Sequence, residues 1–226
     1  MSNSTSLHGA TPRPSETDWG RLSRAVPAVL YVLFLLPGRC PYSDGGEPAG
    51  TSGHLRYDQN LFQSGDLLFR RGDSMLSHAV LQADQQSEYS HVGIVSIEDG
   101  KVWVIHSVPQ EDDRPGNGVR ADQLGDFLSP SEAVQAAVFR SADQRAAIVA
   151  TRAALDFARK RLPFDGAFDL TTADRVYCTE LVWRAYLKAG IDLRPPGSTA
   201  RYLYPSDLVR SPRMQLIATF REVIEP

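Results

Sequence analysis

Two runs of β-forming residues near the middle of the chain, His91-Val92-Gly93-Ile94-Val95-Ser96-Ile97 and Val102-Trp103-Val104-Ile105-His106-Ser107, flank Glu98-Asp99-Gly100-Lys101. An Asp-Gly pair between apolar runs marks a two-residue hairpin turn, so the pattern predicts an antiparallel pair with a defined register. Glu98 then faces Lys101, Val95 faces Val104 and Gly93 faces His106. Opposite residues share a face, as do alternate residues of one strand, which puts His91, Gly93 and His106 on the same side. The two histidines become diagonal neighbours, roughly 7–8 Å apart at the backbone, over a glycine with no side chain to separate them.

Towards the C-terminus the period changes. Leu181, Val182, Ala185, Tyr186 and Ala189 recur at helical spacing, predicting a helix from Cys178 to Ala189 that Gly190 ends. A second helix is expected from Ala142 to Arg161, opened by a capping box of Ser141 and Gln144 and burying Ala147, Ile148, Thr151, Ala154, Leu155 and Ala158. Asp73–Gln86 is moderately helical, with Met75, Ala79, Val80 and Ala83 on one face and Ser74 or Asp73 as cap. Strands are expected at Leu67–Arg70, after a turn at Gln63–Asp66, at Ala133–Phe139 and at Gln215–Val223. Pro109–Gly118 reads as an exposed loop, and Leu124, Phe127 and Leu128 as anchors of the segment after it. Together these elements read as one folded domain over residues 61–226.

The N-terminal residues have another character. Residues 1–24 are rich in Ser, Thr and Pro without apolar period, which predicts disorder. Residues 25–38 hold a twelve-residue apolar run, Ala25–Leu36, behind Arg21 and Arg24 and closed by Pro37 and Gly38. That is the layout of an export signal and is short for a bilayer span. The expectation is an exported, periplasmic or cell-envelope protein, with a retained membrane anchor or a core segment of the folded domain as the alternatives. Residues 39–60 read as a Gly/Pro/Ser linker.

A net charge of −3 and a pI near 6.0 give no electrostatic footprint for nucleic acid. Two cysteines exclude a disulfide framework, and no glycine-rich phosphate loop is present. Chemistry therefore centres on Cys178. At the first turn of a helix a thiol faces unpaired backbone N–H groups and the positive end of the dipole, both of which favour thiolate. Glu180, in the same turn, suits the dipole, and Asp66 and Asp207 suit turns. Cys178, His91 and His106 are also an acceptable zinc set, although they come from distant segments without a tight ligand pair.

Gly65-Asp66-Leu67-Leu68-Phe69, Ser90-His91-Val92-Gly93-Ile94-Val95, Tyr177-Cys178-Thr179-Glu180-Leu181-Val182 and Pro205-Ser206-Asp207-Leu208, in that order, resemble the YiiX/YebB-type proteins. These are circularly permuted members of the NlpC/P60 superfamily of papain-like cysteine hydrolases. The resemblance covers roughly Leu61 to Val223. It implies an α+β, permuted papain-like fold, a small antiparallel sheet packed against helices, with Cys178 as nucleophile, His91 as base and His106 as the third residue that orients the base, a place where many relatives carry an acid. Tyr177 and Ser90, beside the nucleophile and the base, are the candidate substrate or oxyanion contacts. The implied activity is a thiol hydrolase cleaving an amide or ester of a cell-wall peptide or a lipid-linked acyl group through a Cys178 thioester, a peptide or lipid-derived small substrate, with no cofactor and no metal. The alternatives are acyl transfer of the lecithin:retinol acyltransferase type, and a binding module or zinc site without turnover.

Overall fold

The computed structural model describes residues 54–109 and 117–223. The apolar run Ala25–Leu36, the segments around it and most of the Pro109–Gly118 loop lie outside the described residues. Among the described residues no helix is long and apolar enough to cross a membrane.

Among the described residues seven strands form one antiparallel sheet: β1 (His54–Leu55), β2 (Leu67–Arg71), β3 (His91–Glu98), β4 (Lys101–Val108), β5 (Gly118–Gln123), β6 (Gln135–Ser141) and β7 (Met214–Val223), in the order β1-β7-β6-β2-β3-β4-β5. The helices are α1 (Met75–Ala83), α2 (Leu124–Phe127), α3 (Gln144–Arg159), α4 (Cys178–Lys188) and α5 (Pro205–Val209). The fold begins upstream of Leu61, inside the stretch expected as linker, because Leu55 pairs with Glu222 of β7 and is buried.

The β3–β4 hairpin has the register that its turn dictates, from Ile94 opposite Ile105 to Glu98 opposite Lys101. Asp99 and Gly100 both adopt positive φ, 50° and 72°, the pair that a right-twisted two-residue hairpin needs. The sheet is covered on both sides. Leu67, Phe69, Val92, Ile94, Ile105 and Phe139 pack on one face against Ala150, Ala154 and Phe157 of α3 and Leu181, Val182, Ala185 and Tyr186 of α4. Leu68, Val95, Val104, Ala136 and Val138 pack on the other with Phe62, Leu124, Phe127 and Leu128.

Several local expectations shift. Helix α3 starts at Gln144, and its cap is Asp143, whose carboxylate accepts the Ala146 N–H at 3.0 Å while Ser141 Oγ accepts the Asp143 N–H. Its buried face is Ala146, Ala147, Ala150, Thr151, Ala154 and Phe157, and Ile148 is 40% exposed. The small alanines let the helix lie close on the sheet, and Phe157 takes the anchoring place expected of Ile148. In α1, capped by Ser74, Ala79 is buried and Met75 points out. Strand β5 occupies residues for which the apolar pattern predicts no strand; Gln123 is opposite Trp103 and Gly118 opposite Val108.

Candidate active site

Cys178 is the first residue of α4, and the residues on either side of it are clamped. Tyr177 Oη accepts the Leu203 N–H at 2.7 Å, and Thr179 Oγ1 donates to the Leu203 carbonyl, also at 2.7 Å. One residue of the 194–204 loop is thus held at both backbone groups by the neighbours of the thiol. Upstream, Ser107 Oγ of β4 donates to the Val176 carbonyl at 2.6 Å, and Tyr177 N donates to the Glu180 carboxylate at 3.3 Å. These bonds fix the entry into α4 against the sheet.

The Val92 N–H is among the backbone groups that act on the Cys178 thiol and favour its charged form, which places the sulfur near the start of β3, beside His91. His91 is half-buried, opposite Arg70 of β2. Its Nε2 lies 2.8 Å from Nδ1 of His106, with the two rings nearly perpendicular at 79°. The glycine between them is required: a Cβ on Gly93 would lie 2.5 Å from Val104 Cγ1 and 3.2 Å from His106 Cβ. Phe127 of α2 backs both imidazoles, with ring centroids 5.8 Å from His91 and 5.1 Å from His106. The Arg70 guanidinium lies over the Phe127 ring, its Cζ 4.5 Å from the centroid, and is held by the Phe127 carbonyl and Glu132.

His106 is fully buried, and its Nε2 meets the Asp122 carboxylate of β5 at 2.9 Å. Arg120, also on β5, contacts the same oxygen through Nε at 3.0 Å and Nη2 at 2.9 Å. Burial works against the Asp122 charge, but the His106 and Arg120 partners outweigh it and hold the carboxyl at about 2. Asp122 has no counterpart in the motif-based reading, because its strand carries only Val119 and Ala121 as apolar signal and its partner lies in another strand. The hairpin register is the signal that would lead to it, through the next strand beside His106.

Electrostatics at the thiol run opposite to the helix-start expectation. Burial pushes Cys178 up to about 11, and the amides of Val92, Thr179 and Cys178 and the Arg70 charge offset only part of that rise. His91 is pushed well below the ordinary histidine value, by burial first and then by Arg70, His106 and Arg120. His106 is lowered by burial against the pull of Asp122. The resting pair is thiol and neutral imidazole, because the helix start donates from a site that is itself poor in water.

Ser90 and Tyr177 are committed elsewhere. Ser90 Oγ donates to Ser77 Oγ at 3.0 Å and accepts the Gly72 N–H, and Tyr177 spends its oxygen on Leu203. Both are buried, and these bonds tie them to the backbone around the site. Glu180 closes the first turn as a cap for Tyr177 N and pairs with Arg184 at 2.7 Å. Asp207 accepts the Tyr204 N–H, the turn role expected of it.

Comparison with known proteins agrees with this architecture. Residues 61–218 match the family described as permuted papain-like amidase enzymes, YaeF/YiiX, C92 family. An uncharacterized protein of Escherichia coli K12, YiiX, is 28% identical over 134 residues, 56% of this chain and 58% of that relative's length. The crystal structure of an Escherichia coli O157:H7 protein titled metalloprotein YiiX superposes with a TM-score of 0.57 at 20% identity, covering 69% of this chain and 96% of that one, a likeness of fold. With a sheet-borne histidine preceding a helix-borne cysteine in the chain, and a match over the whole of that unit, this chain belongs to the permuted papain-like amidase family of the YaeF/YiiX type.

Proposed function

We propose that the protein is a cysteine amidase that acts through a Cys178 thioester, with His91 as base and His106 as the residue that orients it. The observation that carries this reading is the meeting of the α4 thiol with the start of β3, where His91 Nε2 is held 2.8 Å from His106 Nδ1. Because burial disfavours both the thiolate and the imidazolium, the proton leaves sulfur as sulfur attacks, and no ion pair is stored beforehand. Sulfur bonds to the acyl carbon, His91 takes the thiol proton and passes it to the departing amine, and the C–N bond breaks. Water, deprotonated by His91, then releases the acid and restores the thiol. The Cys178 N–H, in a helical turn that leaves its first amides without intrahelical acceptors, is the first donor for the oxyanion. The substrate class is an amide or ester of a peptide or lipid-derived acyl group.

The relative titled a metalloprotein raises the question of a metal in this chain, for which Cys178, His91 and His106 are the candidate set. The donor set here does not fit one: His106 has both ring nitrogens engaged, by His91 and Asp122, and His91 has Nε2 engaged by His106. Cys178 Sγ and His91 Nδ1 are what remain of the set, short of a zinc site's usual complement. Among the described residues no group of three or more His, Cys, Asp or Glu could hold a metal ion.

The test is a panel of acyl-p-nitroanilides and acyl esters, with intact-mass detection of the acyl-enzyme. The expected result is a covalent adduct on Cys178 that is absent in Cys178→Ala and accumulates slowly in His91→Ala. Turnover undiminished in Cys178→Ala would overturn the reading.

A further inference from the structure

We propose that Asp122 is a positioning residue that sets the tautomers of two histidines in series, so that the lone pair of His91 faces the thiol. Its side chain is diagonal to His106 across β4 and β5, where Val104 is opposite Asp122 and His106 is opposite Arg120. An ionised carboxylate can only accept, so the atom that meets Asp122 Oδ2 at 2.9 Å, His106 Nε2, carries the proton. In a neutral imidazole the other nitrogen is then an acceptor. His106 Nδ1 therefore accepts from His91 Nε2 at 2.8 Å, and His91 Nδ1 is left with its lone pair. The reverse order would put a proton on His91 Nδ1, and the base could take none from sulfur.

The assignment has a built support. Arg120 donates twice to the same Asp122 oxygen, fixing the carboxylate rotamer and its charge. His106 has no route to water with which to satisfy Nε2 by other means, since it is fully buried. Phe127 packs behind both rings, and His106, fully buried, is held against it in this orientation. The effect of Asp122 on the thiol is thus transmitted through two rings, and its role rests on the reading of His91 as the base.

Long-range proton–nitrogen correlation spectra of uniformly labelled protein read the protonated nitrogen of each histidine directly. The expected spectrum has both His91 and His106 protonated at Nε2; a proton on Nδ1 of either ring in the wild type would overturn the proposal without any variant. Iodoacetamide alkylation of Cys178 at one neutral pH supplies the second readout. In Asp122→Leu, which keeps volume and removes the acceptor, the tautomers become mixed and the rate falls about 10-fold or more. Asp122→Asn keeps an oxygen that can accept from His106 and restores most of the rate. Wild-type tautomers and rate in Asp122→Leu would refute the role of Asp122 while His91→Ala still slows alkylation. An unchanged rate in His91→Ala would instead remove the base itself, and the proposal with it.

Discussion

Replacing Gly93 by alanine tests whether the two strands beneath the histidines are as closely packed as their register requires. The new Cβ would sit 2.5 Å from Val104 Cγ1, 2.9 Å from the Ile105 carbonyl oxygen and 3.2 Å from His106 Cβ. Ordinary carbon contacts are about 3.5–4.0 Å. Val104 is fully buried and β-branched, so its methyl has nowhere to swing, and the Ile105 oxygen belongs to the backbone of β4. Overpacking of this kind costs about 1–3 kcal/mol, against which loss of glycine's unfolded-state freedom returns at most about 1 kcal/mol. The net is a loss of roughly 1–2 kcal/mol, or a fall of about 2–8 °C in Tm for a domain of this size. Because β4 must give way at Ile105 and His106, the His91–His106 hydrogen bond lengthens as well. Thermal and urea unfolding, with the histidine nitrogen spectra of the variant, measure both effects. A Tm unchanged within 1 °C and an intact inter-histidine bond would refute the argument that β4 cannot yield at this point.

The thiol supplies a pH prediction of definite sign. With Cys178 pushed up to about 11, its thiolate fraction is below that of a free thiol at every lower pH, so alkylation keeps rising from pH 7 to 10; a plateau below about 8.5 would show a preformed thiolate. Glu180 is fully buried, and burial raises its carboxyl from 4.5 to about 8 against the pull of Arg184. The folded state then keeps a proton that the unfolded state loses, so this group removes stability as pH rises from about 4.5 to 8, by up to about 1.4 kcal/mol per pH unit. Glu180→Gln should flatten that part of the urea-stability profile, and parallel profiles for the two proteins would disprove it. Arg140 makes a two-point contact with Asp66, which is 1% exposed, with both distances at 2.7 Å. Arg140→Ala should cost about 2–4 kcal/mol by leaving a buried carboxylate unpaired. Adding Asp66→Asn should recover part of it, and additive losses in the double variant would argue against a pair.

Legibility in the sequence followed the range of the forces involved. The Asp99-Gly100 turn sets the hairpin register through backbone φ alone, and register sets which residues share a face; His91 and His106 could therefore be paired from the sequence. The stripe of α4, its end before Gly190 and the place of Cys178 at its start are local too, written in helical spacing. So is the order of motifs by which the family is recognised.

What the sequence left open depended on what packs against what. Which stripe of α3 turns inward was decided by the sheet, where small alanines allow close approach and Ile148 does not gain by burial. The hydroxyls of Ser90 and Tyr177 were placed by partners at Ser77, Gly72 and Leu203, contacts no spacing rule foresees. Asp122 reaches His106 from a strand with little apolar signature of its own. The charge state of the thiol was the furthest from local reading. A helix start favours thiolate through a few nearby dipoles, whereas partial loss of water acts on the whole charge, and only the assembled fold determines how much water is lost.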